Sequence, residues 1–243
     1  MSSDDPAYTV YEQLAAAFAE RQGNREIRTR HGEWTVFQEL LPELDSTTLL
    51  DAGCGTGACA QWLADQGASV TGIDASMNSL AEARARTDDN VAFAHADLTK
   101  RLPFGGDTFD VVVCCLVLEH IENWDHVMAE FARVLVSGGT LVVSTDHPFT
   151  TYHVIHNEPA DIGSAVATKA DYYAVEGYTR DWGSCAMPCY RRPLEAMLRP
   201  IADADFAVTA IREPKPQART EHTEYFIANT PRFCAIKART ETP

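Results

Sequence analysis

Hydrophobic positions follow one period up to about residue 45 of this chain and another beyond it. Residues 9 to 20, TVYEQLAAAFAE, set apolar side chains at Val10, Leu14, Ala17 and Phe18, the spacing of a helix with one buried face, and EWTVFQELLPEL (33 to 44) is a second amphipathic stretch. Short apolar or β-branched runs then recur: TTLLDAG (47 to 53), SVTGID (69 to 74), VAFAHAD (91 to 97), FDVVVCC (109 to 115) and TLVVSTD (140 to 146). Helical patterns separate most of them: ACAQWLADQG after the first, SMNSLAEARAR after the second and NWDHVMAEFARVLVSGG after the fourth. Strand alternating with helix predicts parallel strands joined by crossover helices, and therefore an α/β fold with a doubly wound sheet.

The helix ends carry their own punctuation. Ser76 stands where an N-cap would, and Gly67 and Gly138-Gly139 stand where left-handed residues close a helix. From about 147 to 190 the pattern dissolves into His, Tyr, Trp, Gly and Pro. Regularity returns with a helix near 191 to 202, a strand DFAVTAIRE (205 to 213) and a last strand RFCAIKA (232 to 238), after which RTETP reads as a frayed end. A chain of 243 residues, 45% hydrophobic and without an internal repeat, is expected to form one domain over 1–243. Within it, 1–44 reads as a helical cap, 45–146 as a ligand-binding core, 147–190 as an insertion and 191–239 as a closing helix and strands.

The first strand runs into LLDAGCGTG (49 to 57), which with Ala58 fits both G-x-G-x-G and G-x-G-x-x-A. In an open α/β sheet, ligands bind beyond the carboxyl ends of the strands, where strand order reverses, and this loop lies at such an end. Gly53 and Gly55 allow a tight turn and close approach of a ligand, and Gly57 opens the next helix. Asp51 bears on which ligand. A pyrophosphate wants amide donors and no anion nearby, and a carboxylate two residues before the first glycine would oppose it by about 1 to 4 kcal/mol at about 4 Å. A cationic group suits Asp51 better, and S-adenosylmethionine carries an ammonium and a sulfonium but no phosphate. Asp74 closes the second strand, where an acid accepts the ribose hydroxyls, a feature shared by NAD and S-adenosylmethionine sites. Asp97 closes the third, where it can accept from an adenine amine. Each acid alone reads equally as a solvated strand-end Asp or a helix N-cap; three on successive strands point to a nucleoside ligand.

These segments resemble the class I S-adenosylmethionine-dependent methyltransferases. The likeness is carried by LLDAGCGTG, GIDAS (72 to 76), HADLTKRLPFGGDTFDVVVCCLVLEHI (95 to 121) and RVLVSGGTLVVSTDHP (133 to 148), in family order across residues 45 to 148. It implies a Rossmann-like seven-stranded sheet, order 3-2-1-4-5-7-6 with the last strand antiparallel, and S-adenosylmethionine as cofactor. Carried over residue by residue, Asp51, Gly53 and Gly55 would surround the methionine moiety and Asp74 the ribose. Ser76 and Met77 would pack near the adenine, with Asp97 and Leu98 at its edge, and the main chain at Cys115 or Leu116 would meet the amino group. Cys54 falls in the same cofactor-binding loop, with no role implied for its thiol.

Charge narrows the acceptor. With 35 acidic against 20 basic residues the net charge is -15, which repels phosphate backbones, so nucleic acid is an improbable substrate and a small molecule is expected. No run of 18 apolar residues and no basic patch followed by an apolar block occurs, which leads to the expectation of a soluble, cytoplasmic protein with no membrane partner, a monomer or homodimer. Seven cysteines, two of them adjacent, suit reduced thiols better than a disulfide framework. No metal is expected: Cys185 and Cys189 lack a second pair, and Asp146, His147, His153 and His156 are irregularly spaced.

Methyl transfer from a sulfonium is an in-line displacement, so the protein mainly aligns the acceptor and excludes water, and a base matters only where the acceptor has a proton to lose. His120 with Glu119 follows strand four, His147 with Asp146 follows strand five, and Tyr190 ends the insertion; His147, His120 and Tyr190 are the candidate catalytic residues. The insertion also holds Tyr152, His153, His156, Tyr172, Tyr173, Tyr178 and Trp182, and with Tyr8 and Tyr11 it is expected to cover the acceptor. CYRRPLEAMLRPIADADF resembles a stretch, often Tyr-His-Arg-Pro, of a bacterial and archaeal methyltransferase subgroup, with Arg191 in place of the His. Binding of the cofactor without turnover, transfer of another part of the cofactor, and NAD-dependent oxidation are the competing readings.

Overall fold

A computed structural model describes residues 9–16, 33–154, 171–182, 185–215 and 230–241. Strands β1 (Thr48–Ala52), β2 (Ser69–Asp74), β3 (Val91–His95), β4 (Phe109–Cys115) and β5 (Leu135–Asp146) run parallel, and β9 (Phe233–Thr240) lies antiparallel between β5 and β8 (Phe206–Arg212). The sheet order is β3-β2-β1-β4-β5-β9-β8, which is the expected 3-2-1-4-5-7-6. Strand order reverses between β1 and β4, so the carboxyl ends of these two strands diverge and leave a crevice.

The central strands are apolar on both faces because helices cover both. Leu49, Val111, Val113 and Val142 pack with Trp34 and Phe37 of α2 (Glu33–Leu40) and Leu63 of α3 (Ala58–Asp65). Their neighbours Leu50, Val112, Leu141 and Val143 point the other way, onto Trp124, Met128 and Phe131 of α5 (Trp124–Val134) and Ile201 of α7 (Leu194–Asp203). Between β2 and β3 lies α4 (Met77–Arg86), capped as expected by Ser76, whose hydroxyl accepts the Ser79 amide at 3.0 Å. Helix α3 closes as expected into Gly67, whose φ is +96°. The N-terminal helical stretch α1 is described over residues 9–16, with Val10 buried; Ala17 and Phe18 lie outside the described residues.

Two expectations are corrected. Helix α5 stops at Val134, and Gly138-Gly139 does not cap it: Gly138 (φ +73°) turns the chain within the twelve-residue β5, whose continuous pairing with β4 begins at Thr140. The insertion also has regular structure, a helix α6 (Pro148–Val154) and an antiparallel hairpin of β6 (Glu176–Trp182) and β7 (Cys185–Arg191). This hairpin forms its own two-stranded sheet and packs on the short 3₁₀ turn Leu118–His120 beyond β4. Residues 242–243 of the terminal RTETP are outside the description, while Ala238, Arg239 and Thr240 belong to β9.

Candidate active site

The glycine loop leaves β1 at the crevice. Gly53 and Cys54 donate their amides to the Ile73 carbonyl at 2.8 and 2.9 Å, which folds the loop over the end of β2. Gly53 has φ +83°, and a Cβ there would stand 2.4 Å from Cγ2 of Val117, so only glycine lets the loop lie so close to the turn after β4. Gly55 and Gly57 share the left-handed conformation, at +53° and +83°.

Asp51 lies beneath this loop at 1% exposure, and neither carboxylate oxygen has a well-formed hydrogen bond, although the Cys59 thiol and the Ala60 amide are its nearest donors. Burial, reinforced by the charge of Asp74, pushes its pKa up to about 7 against weaker lowering influences from Cys59 and the Ala60 amide. An orphaned buried carboxylate of this kind calls for a cationic ligand. Asp74 is better supplied: its two oxygens accept the Gly55 amide at 2.9 Å and the Ser76 amide at 2.8 Å. Burial still raises its pKa, and the amides of Ser76, Gly55 and Ala75 hold it back. Each carboxylate oxygen has lone pairs beyond the one each amide takes, so the group can also accept hydroxyls.

Asp74 and Gly53, with Ala75, Ala96, Leu98, Val117 and Ile121, line an open cleft. It is an apolar slot with one carboxylate on its wall, suited to a nucleoside. Ser76 is buried under the cleft as the α4 cap; Met77 is half exposed at the first turn of that helix. Asp97 turns Oδ1 back to the Thr99 amide and hydroxyl, at 2.9 and 2.7 Å. Cys54 buries its thiol under the loop, where a Cβ on Gly72 would approach it to 3.0 Å. The Cys115 thiol and Ser144 hydroxyl donate to the buried Glu33 carboxylate at 3.3 and 2.6 Å. Leu116 turns the chain at φ +55°, its amide donating to the Ser144 carbonyl.

A second group of side chains stands beyond this cleft. His120, in the turn between Val117 and Ile121, is bonded at both ring nitrogens: Nδ1 faces the Pro188 carbonyl at 2.9 Å and Nε2 the Tyr11 hydroxyl at 3.0 Å. A carbonyl only accepts, so Nδ1 carries the proton and Nε2 accepts from tyrosine. Burial pushes the Tyr11 phenol up, as do the charges of Glu119 and Asp74. Glu119 is buried, with the Thr145 hydroxyl at 3.3 Å, and burial together with the Asp146 charge pushes its pKa up to about 8. From β6, Arg180 donates to Asp146 and, at 2.6 Å, to the Tyr178 hydroxyl. Burial opposes the arginine's charge, but Asp146 holds it on.

Not all the expected catalytic residues join this group. The structure brings in His120 and leaves His147 aside: that ring accepts the Phe149 amide at 3.1 Å and faces Glu213 at 2.8 Å, with burial lowering its pKa. Tyr190 neighbours Cys189 on β7, and the strand's alternation turns it to the face away from His120, which Cys189 meets at 3.7 Å. Among the described residues no group of three or more His, Cys, Asp or Glu is placed to hold a metal ion; His156 and the side chain of His153 lie outside them.

Comparison with known proteins bears on the cleft. A family model described as a methyltransferase domain matches residues 50–143. An S-adenosylmethionine-dependent methyltransferase from Mesorhizobium loti superposes with a TM-score of 0.70 at 29% identity, covering 85% of this chain and 97% of that one. Residues 50–143 form a methyltransferase domain of the class I S-adenosylmethionine-dependent type. An uncharacterized protein of Haemophilus influenzae is 29% identical over 221 residues, 85% of this methyltransferase and 86% of the relative. The methyltransferase GfsG of Streptomyces halstedii is 39% identical over 118 residues, but that match spans only 45% of this chain and 42% of GfsG.

The residues present fit the cofactor. Asp51 offers the unpaired carboxylate that an ammonium needs, Asp74 the acceptors for a diol, and Leu98, Ala96 and Ile121 the apolar walls for a base. Sequence reasoning missed Arg180, Cys189 and the Pro188 carbonyl. The signal was there in two runs of alternate residues, Glu176-x-Tyr178-x-Arg180 and Met187-x-Cys189-x-Arg191, which share one face of the hairpin.

Proposed function

We propose that this methyltransferase acts on a small molecule whose nucleophilic oxygen or nitrogen bears a proton, and that the pair His120 and Tyr11 removes that proton. The observation that carries the reading is the doubly bonded His120, held with Nδ1 to Pro188 and its basic Nε2 toward the Tyr11 hydroxyl beside the cofactor cleft. Bound S-adenosylmethionine supplies an electrophilic methyl group. Asp51 and Asp74 would hold the two ends of that cofactor, in the cleft that Gly53, Val117 and Ile121 line. Attack of the acceptor's lone pair on the methyl carbon would break the methyl–sulfonium bond and leave S-adenosylhomocysteine, while the acceptor's proton passes to the Tyr11 oxygen and the tyrosine proton to His120 Nε2. Tyr11, with its phenol pushed up by burial, relays the proton without persisting as a phenolate.

The acidic groups Glu119 and Asp146 around the site and the net charge of -15 support a small acceptor over a nucleic acid. Incubation with methyl-labelled S-adenosylmethionine and a fractionated metabolite extract tests this. Label is expected in a low-molecular-mass product and lost in His120→Asn, with S-adenosylhomocysteine affinity kept. Label in protein or nucleic acid, or none anywhere despite tight cofactor binding, would overturn the reading.

A further inference from the structure

The face of the β6–β7 hairpin that meets His120 includes the successive cross-strand pairs Arg180 with Met187, Tyr178 with Cys189 and Glu176 with Arg191. The middle pair reaches the imidazole through Cys189. Arg191 stands two residues further along the same face, about 7 Å from Cys189 at the rise of a β-strand.

Arg191 is only 2% exposed, yet it is incompletely satisfied. One terminal nitrogen donates at 2.6 Å to both the Glu176 carboxylate and the Asp171 carbonyl, and the guanidinium lies over the Tyr152 ring at 5.3 Å. Its Nε and its other terminal nitrogen have no hydrogen-bond partner, although both are sealed from solvent. Buried charged donors left unpaired are costly, and those of an arginine match the oxygens of carboxylate and phosphate groups. The neighbouring Arg192 is committed elsewhere, stacked at 4.2 Å on Trp124 and donating to the Ile121 and Glu122 carbonyls. A surface as acidic as this one attracts no anions by its general field, so an anion has to be drawn by a local cation with donors to spare.

We infer that Arg191 anchors an anionic group, a carboxylate or a phosphate, on the methyl acceptor. This rests on the acceptor site proposed above: the reacting atom lies at Tyr11 and His120, and the anion lies roughly 7 Å or more away along the hairpin. Glu176 competes with the acceptor for the same guanidinium, and its side chain, 37% exposed, can leave for solvent when the anion enters.

The test uses the full chain loaded with S-adenosylhomocysteine and reads the arginine Nε–H signals by ¹⁵N NMR. The probes are benzoate and inorganic phosphate. The signal absent from Arg191→Lys is expected to move saturably with at least one probe, and the probe that moves it tells a carboxylate acceptor from a phosphate ester. Glu176→Gln is expected to tighten that binding several-fold, a gain that misfolding cannot mimic, whereas Arg191→Lys weakens it. A stationary Arg191 signal, or a Glu176→Gln protein that binds the probe no better, overturns the inference. Calorimetry on the same samples separates the two readings. Intact S-adenosylhomocysteine binding with a stationary signal removes the anion anchor alone, and absent S-adenosylhomocysteine binding removes the acceptor site with it.

Discussion

Asp51 is sealed from solvent, without a well-formed hydrogen bond and beside a second acid, so its proton is held up to about 7 until a cation arrives. An ammonium would pull that value down, so cofactor binding releases a proton and strengthens as pH rises through about 7. Below that value the affinity for S-adenosylhomocysteine should fall by up to about tenfold per pH unit, and Asp51→Asn should weaken binding and flatten the pH profile. Calorimetry on both sides of pH 7 checks this; an unchanged profile in the variant would remove Asp51 from the site. Gly53 makes a steric prediction. Gly53→Ala puts a methyl 2.4 Å from Val117 in a left-handed conformation and should abolish cofactor binding at a cost of roughly 1 to 3 kcal/mol in stability. Adding Val117→Ala should restore part of the binding, because the contact is relieved and the backbone strain is not.

Among the elements, the hairpin and the turn after β4 depend on each other. Arg192, with its pKa lowered to about 10 by burial, crosses from the end of β7 to the carbonyls of Ile121 and Glu122 beside the cleft. Arg192→Met keeps bulk over Trp124 but strands both carbonyls, and should lower stability by about 1 to 3 kcal/mol. It should also weaken S-adenosylhomocysteine binding, since Ile121 lines that cleft; a thermal melt and a titration suffice to check it. The parallel strands were legible because each is a short apolar run bounded by turn residues. The join of α5 and β5 was not: Val134-Leu135-Val136 continues an apolar pattern that suits helix and strand alike, and the glycine pair beyond it looks like a cap. The hairpin escaped notice for a different reason. Pro188 pairs with Thr179 inside a strand, where proline argues against strand, and Gly177 weakens the partner.

For the whole molecule, the raised acids set how stability follows pH. Asp51 and Glu119 have ordinary values of 3.8 and 4.5 and folded values of about 7 and about 8, so between these limits the folded chain keeps protons that the unfolded chain releases. Their contribution is fully present below about 4 and is lost as pH rises toward 8. Asp110 and Glu130, held low by Thr48 and Arg133, act in the opposite sense only in more acid solution. The ligand-free protein should therefore melt at a lower temperature at pH 8 than at pH 6, and S-adenosylhomocysteine should narrow the difference by pairing Asp51. Melts with and without ligand decide it, and a higher melting temperature at pH 8 in the free protein would contradict the two burial effects.

What the sequence determined alone is whatever lies close together along the chain. LLDAGCGTG, Asp74 and Ser76 could be read because a strand, a tight turn and a helix cap are each set by a few adjacent residues, and three such units in series imply the sheet and its crevice. The second cluster brings together Tyr11, Glu119, His120, Asp146, Arg180 and Cys189, from segments up to 178 residues apart that share no local period. Only tertiary structure decided which histidine joins this cluster: His147 and His120 each follow a strand end, but burial and the Tyr11 and Pro188 contacts assemble around one of them. Burial decided the charges as well, since an aspartate at the end of a strand is an ordinary acid until packing removes its water and its partners.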